Sequence, residues 1–432
     1  MNFRSSVRIF LSLGIVASLA PGVSYATNGM NMIGYNTRSS GLAGADVALG
    51  EDCPACNPAT LGGEGRIILA GGVALLHPPV NFQNGYFGPN DVDSDENIYA
   101  APYLEYAHRL KDSPWTLGLT VRAQGGMGVE YEDVRTFAGN QDELYTNLQI
   151  ARFMPTASYR VNDQLKLGAS LQVGSVKMSS KLFPGTYSPG PDGMAGTMDD
   201  FAGMHLKDVG GVGYAGRIGL FYKVSDRLNL GLTYLSETDI DMDGGRLTLN
   251  LGIARVAYAA ELERFALPQE AEFGLSYKVS PRLRLVADIR WIDWASAADE
   301  VTVKGSDPDL PVPLQDPEMT FKLKWKEQWV FALGTEFMLN RNHTFRIGYN
   351  YGGNPVPNDY LSPLFPGHVE HHVTLGYGYS WDQLSLDLAW EHSLENKLTN
   401  TNPNPAENPF GPDSTVTVNP GNVLHLGLSY RF

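Results

Sequence analysis

The residues able to do chemistry are few in this chain of 432 and lie far apart. Cys53 and Cys56 are the only cysteines. In an oxidising compartment a Cys-x-x-Cys pair closes a small disulfide that stiffens its surroundings. A redox-active pair would need a thioredoxin-like βαβ setting, which is not evident here. His368, Glu370 and His372 share one face of an extended stretch and could ligate a metal, but a polar rim is the simpler reading and no metal is expected. Asp91-Val-Asp-Ser-Asp-Glu96 starts like a calcium loop and lacks the Gly that an EF-hand requires. It reads as a solvated acidic loop. Catalytic Ser/His/Asp spacing, a phosphate-binding loop and a basic patch are all missing, so neither an enzyme, a cofactor nor a nucleic-acid partner is expected. Arginine is the remaining candidate. Arg122, Arg152, Arg217, Arg284, Arg290 and Arg346 fall on one face of their segments, as do Glu105, Glu237, Glu272, Asp288, Glu336, Asp387 and Glu391. An Arg fork suits a carboxylate head group, because it binds both oxygens. A structural network of ion pairs is the commoner use, leaving one or two arginines at most for a ligand.

These side chains need elements to carry them. Residues 1–26 join Arg4 and Arg8 to the apolar run Ile9–Ala20 and end at Ser24-Tyr25-Ala26, the pattern of a secretory signal peptide cleaved after Ala26. No later run of ~18 apolar residues exists, so membrane-spanning helices are excluded. Formal charge is -15, aromatics make up 11% and 47 residues are Gly, which suits either a periplasmic protein or an outer-membrane barrel.

Periodicity decides between them. Tyr159-Arg-Val-Asn-Asp-Gln-Leu-Lys-Leu-Gly168 recurs at Tyr222–Gly231 and Tyr277–Leu285, with looser copies at Tyr106–Trp115 and Tyr379–Leu386. Asn-Asp, Ser-Asp and Ser-Pro are tight-turn pairs, and each lies between a strand ending in Tyr and one opening with Leu-x-Leu. The tyrosines would form an aromatic belt at one membrane surface. Strict alternation flanks these turns, as in Leu384/Leu386/Leu388/Trp390 against Ser385/Asp387/Glu391. Roughly fourteen such segments follow residue 66, near 66–77, 98–109, 115–131, 147–161, 164–180, 210–224, 227–238, 268–279, 282–295, 326–338, 342–352, 369–380, 383–394 and 421–432. Short turns alternate with long loops, two of which, 181–209 and 239–267, are rich in apolar residues. The expected fold is all-β: a transmembrane antiparallel barrel of about 14 strands over 66–432. Residues 27–65, rich in Gly and Ala, cannot fold alone and would fill the lumen as a plug. Leu424–Phe432 alternates to a terminal aromatic, like the signal read by the barrel-assembly machinery.

With these features in order, the chain resembles the long-chain fatty acid outer-membrane transporter family (FadL/TodX type). The resemblance rests on Gly41–Leu49 and Asn57-Pro58-Ala59 in the plug, then Gly126-Met-Gly-Val-Glu-Tyr131, Leu267-Pro268, Trp291-Ile-Asp-Trp294, Thr344–Gly348 and Pro355-Val-Pro357. It implies a hatch inside the barrel, a hydrophobic path and lateral release through a gap at a kinked third strand. Gly125, Gly126 and Gly128 would form that lateral gate, since glycines accompany bulges and bends. Phe183, Met194, Met198, Phe201, Met204, Leu249 and Ile253 on the two apolar loops would meet the substrate first. Arg122, Arg152, Arg217, Arg290 and Arg346 are the basic candidates in the lumen. Expected partners are a hydrophobic small molecule, outer-membrane lipid and lipopolysaccharide, and the assembly machinery, around a monomer. A general porin would need an open lumen, which 27–65 would block. An adhesin would need only the loops.

Overall fold

The computed structural model describes residues 28–432 except 51, 52, 54, 62–66, 86, 87, 96, 191, 192, 194–199, 311–315, 405 and 406. The signal peptide expected at 1–26, and Met194 and Met198, lie outside the described residues. None of the described helices is long and apolar enough to cross a membrane.

Fourteen antiparallel strands form a closed ring: β1 (Ile67–His77), β2 (Tyr99–Arg109), β3 (Trp115–Arg135), β4 (Gln141–Arg160), β5 (Leu165–Ser188), β6 (Phe201–Lys223), β7 (Leu228–Leu235), β8 (Glu270–Ser280), β9 (Leu283–Ile292), β10 (Gln328–Met338), β11 (His343–Gly352), β12 (His371–Trp381), β13 (Leu384–Ser393) and β14 (Asn422–Arg431). Each pairs with its sequence neighbour in the ring, and β1 pairs with β14 to close it. Every segment marked by alternation is a strand, because a period of two is the only pattern that keeps one face in lipid and the other in the lumen. Outward-facing Leu333, Ile218, Leu171 and Phe331 are exposed in the isolated chain, as side chains meant for hydrocarbon must be. At the short-turn end the repeated tyrosines Tyr106, Tyr159, Tyr222 and Tyr277 all face outward. Asp112 and Asp382 sit at turn tips with positive φ, which Asp tolerates better than most residues.

The wall is uneven, and here the structure departs from the expected loops. β3 to β6 run for 21, 20, 24 and 23 residues, whereas β8 to β14 have 10 or 11. About ten residues suffice to cross the bilayer, so half of each long strand rises beyond it. Much of the expected loop 181–209 is therefore the outer ends of β5 and β6. The expected loop 239–267 is a hairpin of two strands, Thr238–Asn250 and Arg255–Leu267. Their alternating apolar residues pair because they find partners on β6 and on a second outer hairpin. A separate four-stranded sheet, formed by Val80–Asn84, Asn90–Asp93, Asn396–Thr399 and Thr415–Val418, caps the outer end. The acidic stretch joins this sheet, where Asn81 Nδ2 donates to Asp91 at 2.9 Å and to Asp93 at 2.8 Å.

Candidate functional site

The described residues between 28 and 61 run inside the ring. They carry one turn of α-helix, α1 (Thr37–Ser40), and a 3-10 turn at Pro58–Thr60. Nearly all are buried, though the stretch has few large apolar side chains. Polar anchoring replaces hydrophobic packing here. Glu336 on β10 is the most connected anchor, meeting Arg38 of α1 at 3.0 Å, Arg346 at 2.8 Å and Arg284 at 3.4 Å. Arg346 also reaches Asp387 at 2.7 Å. On the far wall Glu272 takes Arg290 at 2.8 Å and Arg217 at 3.7 Å. The guanidinium groups of Arg122, Arg217 and Arg290 surround the ring of Tyr35 at 4.6, 4.9 and 5.3 Å. Asp288 accepts from the backbone N–H groups of Asp46 and Val47 at 2.6 and 2.9 Å, capping the chain where it turns. The arginines thus sit in a network that ties this inner segment to the wall. Glu237 does not face the lumen as expected; β7 ends at Leu235, alternation stops there, and Glu237 accepts from exposed Ser296.

Asn57-Pro58-Ala59 packs on β4, β5 and β6. Asn57 caps its own turn by accepting from Ala59 N at 2.9 Å, and its Nδ2 donates to Val47 O and to Leu220 O of β6. Gly168 and Gly219 leave the space for it: a Cβ at either would stand 2.1 or 2.2 Å from Pro58 or Asn57. Cys53 and Cys56 are disulfide-bonded beside Met154 and Tyr35. Glu370 accepts from Asn354 N and Asn396 Nδ2, and among the described residues no three His, Cys, Asp or Glu side chains come together as a metal site.

Above this inner segment the lumen changes character. On β4 the inward face reads Ser158, Thr156, Met154 and Arg152, then Ile150, Leu148, Thr146 and Leu144. β5 switches likewise, from Ser170 and Gln172 to Val176, Met178 and Leu182. These apolar side chains join Met127, Val129 and Tyr131 of β3, the outer hairpins and the capping loops in one large buried cluster. Phe183, Met204 and Leu249 are buried in it and Phe201 packs against it, whereas Ile253 stands 96% exposed at a hairpin tip. Burying the apolar face of the outer loops stabilises them, at about 25 cal/mol per Å². The sequence shows this switch as a reversal of phase: outward of Arg152 the inward positions Ile150, Leu148 and Leu144 are apolar, while Gln149, Asn147 and Glu143 face out.

The apolar cluster and the inner segment below it meet at the third strand. Pairing between β2 and β3 ends at Tyr103↔Arg122, although β2 continues to pair with β1 as far as Tyr99. From Ala123 to Tyr131, β3 keeps its ladder with β4 alone. Residues of the inner segment fill part of the free edge: Met32 N donates to Gln124 O at 3.2 Å and Gly126 N donates to Met30 O at 3.1 Å. The β3–β4 register slips between Ala123 and Gly125, a bulge that turns Gln124 into the lumen. Its Nε2 donates to Asn31 Oδ1 at 2.9 Å, its Oε1 accepts from Arg152, and Asn31 Nδ2 donates to Glu270 at 3.0 Å. Of the three glycines expected at a gate, Gly125 lacks room for any side chain, since a Cβ would stand 1.9 Å from Met30 O. Gly126 has a φ of +153°, and Gly128 keeps its place in the ladder opposite Asn147. No spacing rule marks Asn31, Tyr35, Gln124 or Glu270, because their partners lie far away in sequence.

Comparison with known proteins adds the following. The model of the family described as "Outer membrane protein transport protein (OMPP1/FadL/TodX)" matches residues 15–432. A long-chain fatty acid transport protein of Salmonella typhi is 21% identical over 413 residues, covering 90% of this chain and 92% of its own. Its Escherichia coli O6:H1 counterpart is 23% identical over 379 residues, covering 79% and 81%. Among solved structures, the toluene transporter TodX of P. putida superposes with a TM-score of 0.72 at 21% identity, covering 93% of this chain and 99% of TodX. A Pseudomonas aeruginosa FadL homologue gives 0.74 at 18% identity, covering 95% and 100%.

Proposed function

The chain belongs to the family of outer-membrane transport proteins (OMPP1/FadL/TodX), and from that premise we propose that it takes up long-chain fatty acids or small hydrocarbons passively by a lateral route. Substrate docks among the outer hairpins, enters the apolar chamber above the plug and leaves sideways between β2 and β3. The observation that carries this reading is the break in the wall beside the chamber, where β2–β3 pairing stops at Tyr103↔Arg122 and plug residues 30–32 take up the free edge of β3. A hydrophobic solute gains nothing from a watery exit and is stabilised by direct passage into hydrocarbon. The network around Tyr35 and Glu336 holds the plug below the chamber, so the lumen offers no open path to a polar solute. Residues 27–65 act as that plug, opening the floor when the 30–32 strand detaches. Relatives of this chain are named for long-chain fatty acids and for toluene; both suit a chamber lined by Leu, Ile, Val, Met and Phe.

The test is uptake of a labelled long-chain fatty acid, and separately of toluene, by cells carrying the Gly126→Val/Gly128→Val double variant. β-Branched residues favour a regular extended ladder and avoid positive φ. The double variant, with normal heat-modifiability as the sign of a folded barrel, should lose uptake. Full uptake by the folded variant would sink the lateral route.

A further inference from the structure

At the periplasmic lip, the turn joining β2 to β3 and the turn joining β4 to β5 stand side by side, tied by Arg160 N donating to Pro114 O at 2.9 Å. Between them lies an open hollow of about 670 Å³. Arg109, Lys111 and Arg160 line it, and among the described residues none of the three forms an ion pair with a carboxylate. Asp112 and Asp163 also reach the hollow, so it keeps one positive charge in excess. This differs from a second polar hollow on the wall, near Lys177 and Lys181. There the lysines are already engaged, with Asp208 at 3.0 Å and Glu143 at 2.8 Å.

Two further observations identify an occupant. The first is height. Directly outward of the hollow, Trp115 and Tyr159 pack with ring centroids 4.8 Å apart on the lipid-facing surface. Aromatic girdles sit at the level of the headgroups, so the hollow opens where the phosphates of the inner leaflet lie. The second is charge polarity. Across 109–114, 160–166, 223–227, 278–282, 339–343, 381–383 and 431–432, ten Lys or Arg stand against four Asp and no Glu. The whole chain carries -15, so the acidic excess lies elsewhere. The short-turn rim is the one end of the barrel that attracts anions.

We propose that the hollow between these turns binds the phosphate headgroup of an anionic phospholipid in the inner leaflet. Arg109 and Arg160 offer forked donors that match phosphate oxygens, and Lys111 adds a point charge. The exposed Trp115–Tyr159 pair flanks that headgroup where it joins the acyl chains. The site is independent of the route taken by substrate, and it fixes the barrel's height and tilt on the side where β2 meets β3.

The full mature protein, purified in detergent with equal phosphatidylglycerol and phosphatidylcholine, would be examined by native mass spectrometry for retained lipid. The wild type should hold phosphatidylglycerol in preference, and 0.5 M NaCl should weaken that preference by screening. The triple variant Arg109→Gln/Lys111→Gln/Arg160→Gln should lose it about tenfold or more, since each near-surface cation contributes to anionic-lipid affinity. Lys322→Gln, on a strand of the second outer hairpin, should leave it unchanged. Arg160→Gln alone serves if the triple variant fails the heat-modifiability test of folding. Equal retention of the two lipids by the wild type, or undiminished phosphatidylglycerol on a folded variant, would overturn the site.

Discussion

Gln124 donates a hydrogen bond to Asn31 Oδ1 at 2.9 Å, and this one contact joins the bulge of the third strand to the first described turn of the plug. Arg152 holds Gln124 from the wall side, and Glu270 holds Asn31 across the lumen at 3.0 Å. All four side chains are buried. Truncating Gln124 to Ala therefore removes a link and leaves an Arg152 donor unpaired in a dry setting, which costs about 1–3 kcal/mol. The N–H groups of Met32 and Gly126 should then exchange with deuterium at least tenfold faster, while the β5–β6 ladder keeps its protection. Unchanged exchange at Met32 would show that the link does not hold the 30–32 strand.

Gly125→Val tests the same contact from the backbone. Because a Cβ there would meet Met30 O at 1.9 Å, the plug strand must leave the wall. The barrel ladder with β4 can persist, since valine suits extended chain. Planar-bilayer recordings should show a larger or more frequent ion leak than wild type. A folded variant with wild-type conductance would mean that residues 30–32 do not close the floor.

Glu336→Gln should be among the most damaging single changes away from the gap. Three arginines converge on that buried carboxylate, and removing one partner of a buried ion pair costs about 3–5 kcal/mol. The temperature at which the barrel loses its fast-migrating form on electrophoresis should fall clearly. Lys223→Gln, whose partner Asp226 is almost fully exposed, should shift it little, because exposed pairs contribute about 0–1 kcal/mol. Equal shifts would refute the anchoring role of Glu336.

His368, in the outer loop before β12, supplies a pH dependence. It is wholly buried, and that burial, outweighing the backbone of Asn396 and Val416 beside it, lowers its pKa to about 4. The unfolded loop would protonate near 6.5, so between 6.5 and 4 the unfolded form binds more protons and the cap loses stability as pH falls. The contribution is fully present above pH ~6.5 and on the order of 3 kcal/mol. Limited proteolysis of the outer loops should quicken as pH drops through that window, and His368→Leu should remove most of the effect. A pH-independent digestion pattern in the wild type would exclude it.

The sequence by itself determined the barrel. A period of two is imposed locally, by lipid on one side of each strand, so fourteen strands, their turns and the inward set of Arg, Asp and Glu, except Glu237 beyond the end of β7, were legible without tertiary information. Even the glycines of the third strand stood out, because Gly is rare inside a ladder without cause. What only the tertiary structure decided are the partners. Arg38 and Glu336 are 298 residues apart, and Asn31 and Glu270 are 239 apart. The plug has no period to announce its register, since polar anchors at scattered positions fix it in place of a repeating apolar face. The long outer ends of β3 to β6 were hidden for a related reason. Beyond the membrane the inward face turns from polar to apolar and the outward face from apolar to polar, so the alternation reverses its phase just where the chamber begins. Which of the glycines bears the closest contact was equally invisible, because the crowding at Gly125 comes from the carbonyl of Met30, a backbone atom that any residue type at position 30 would present.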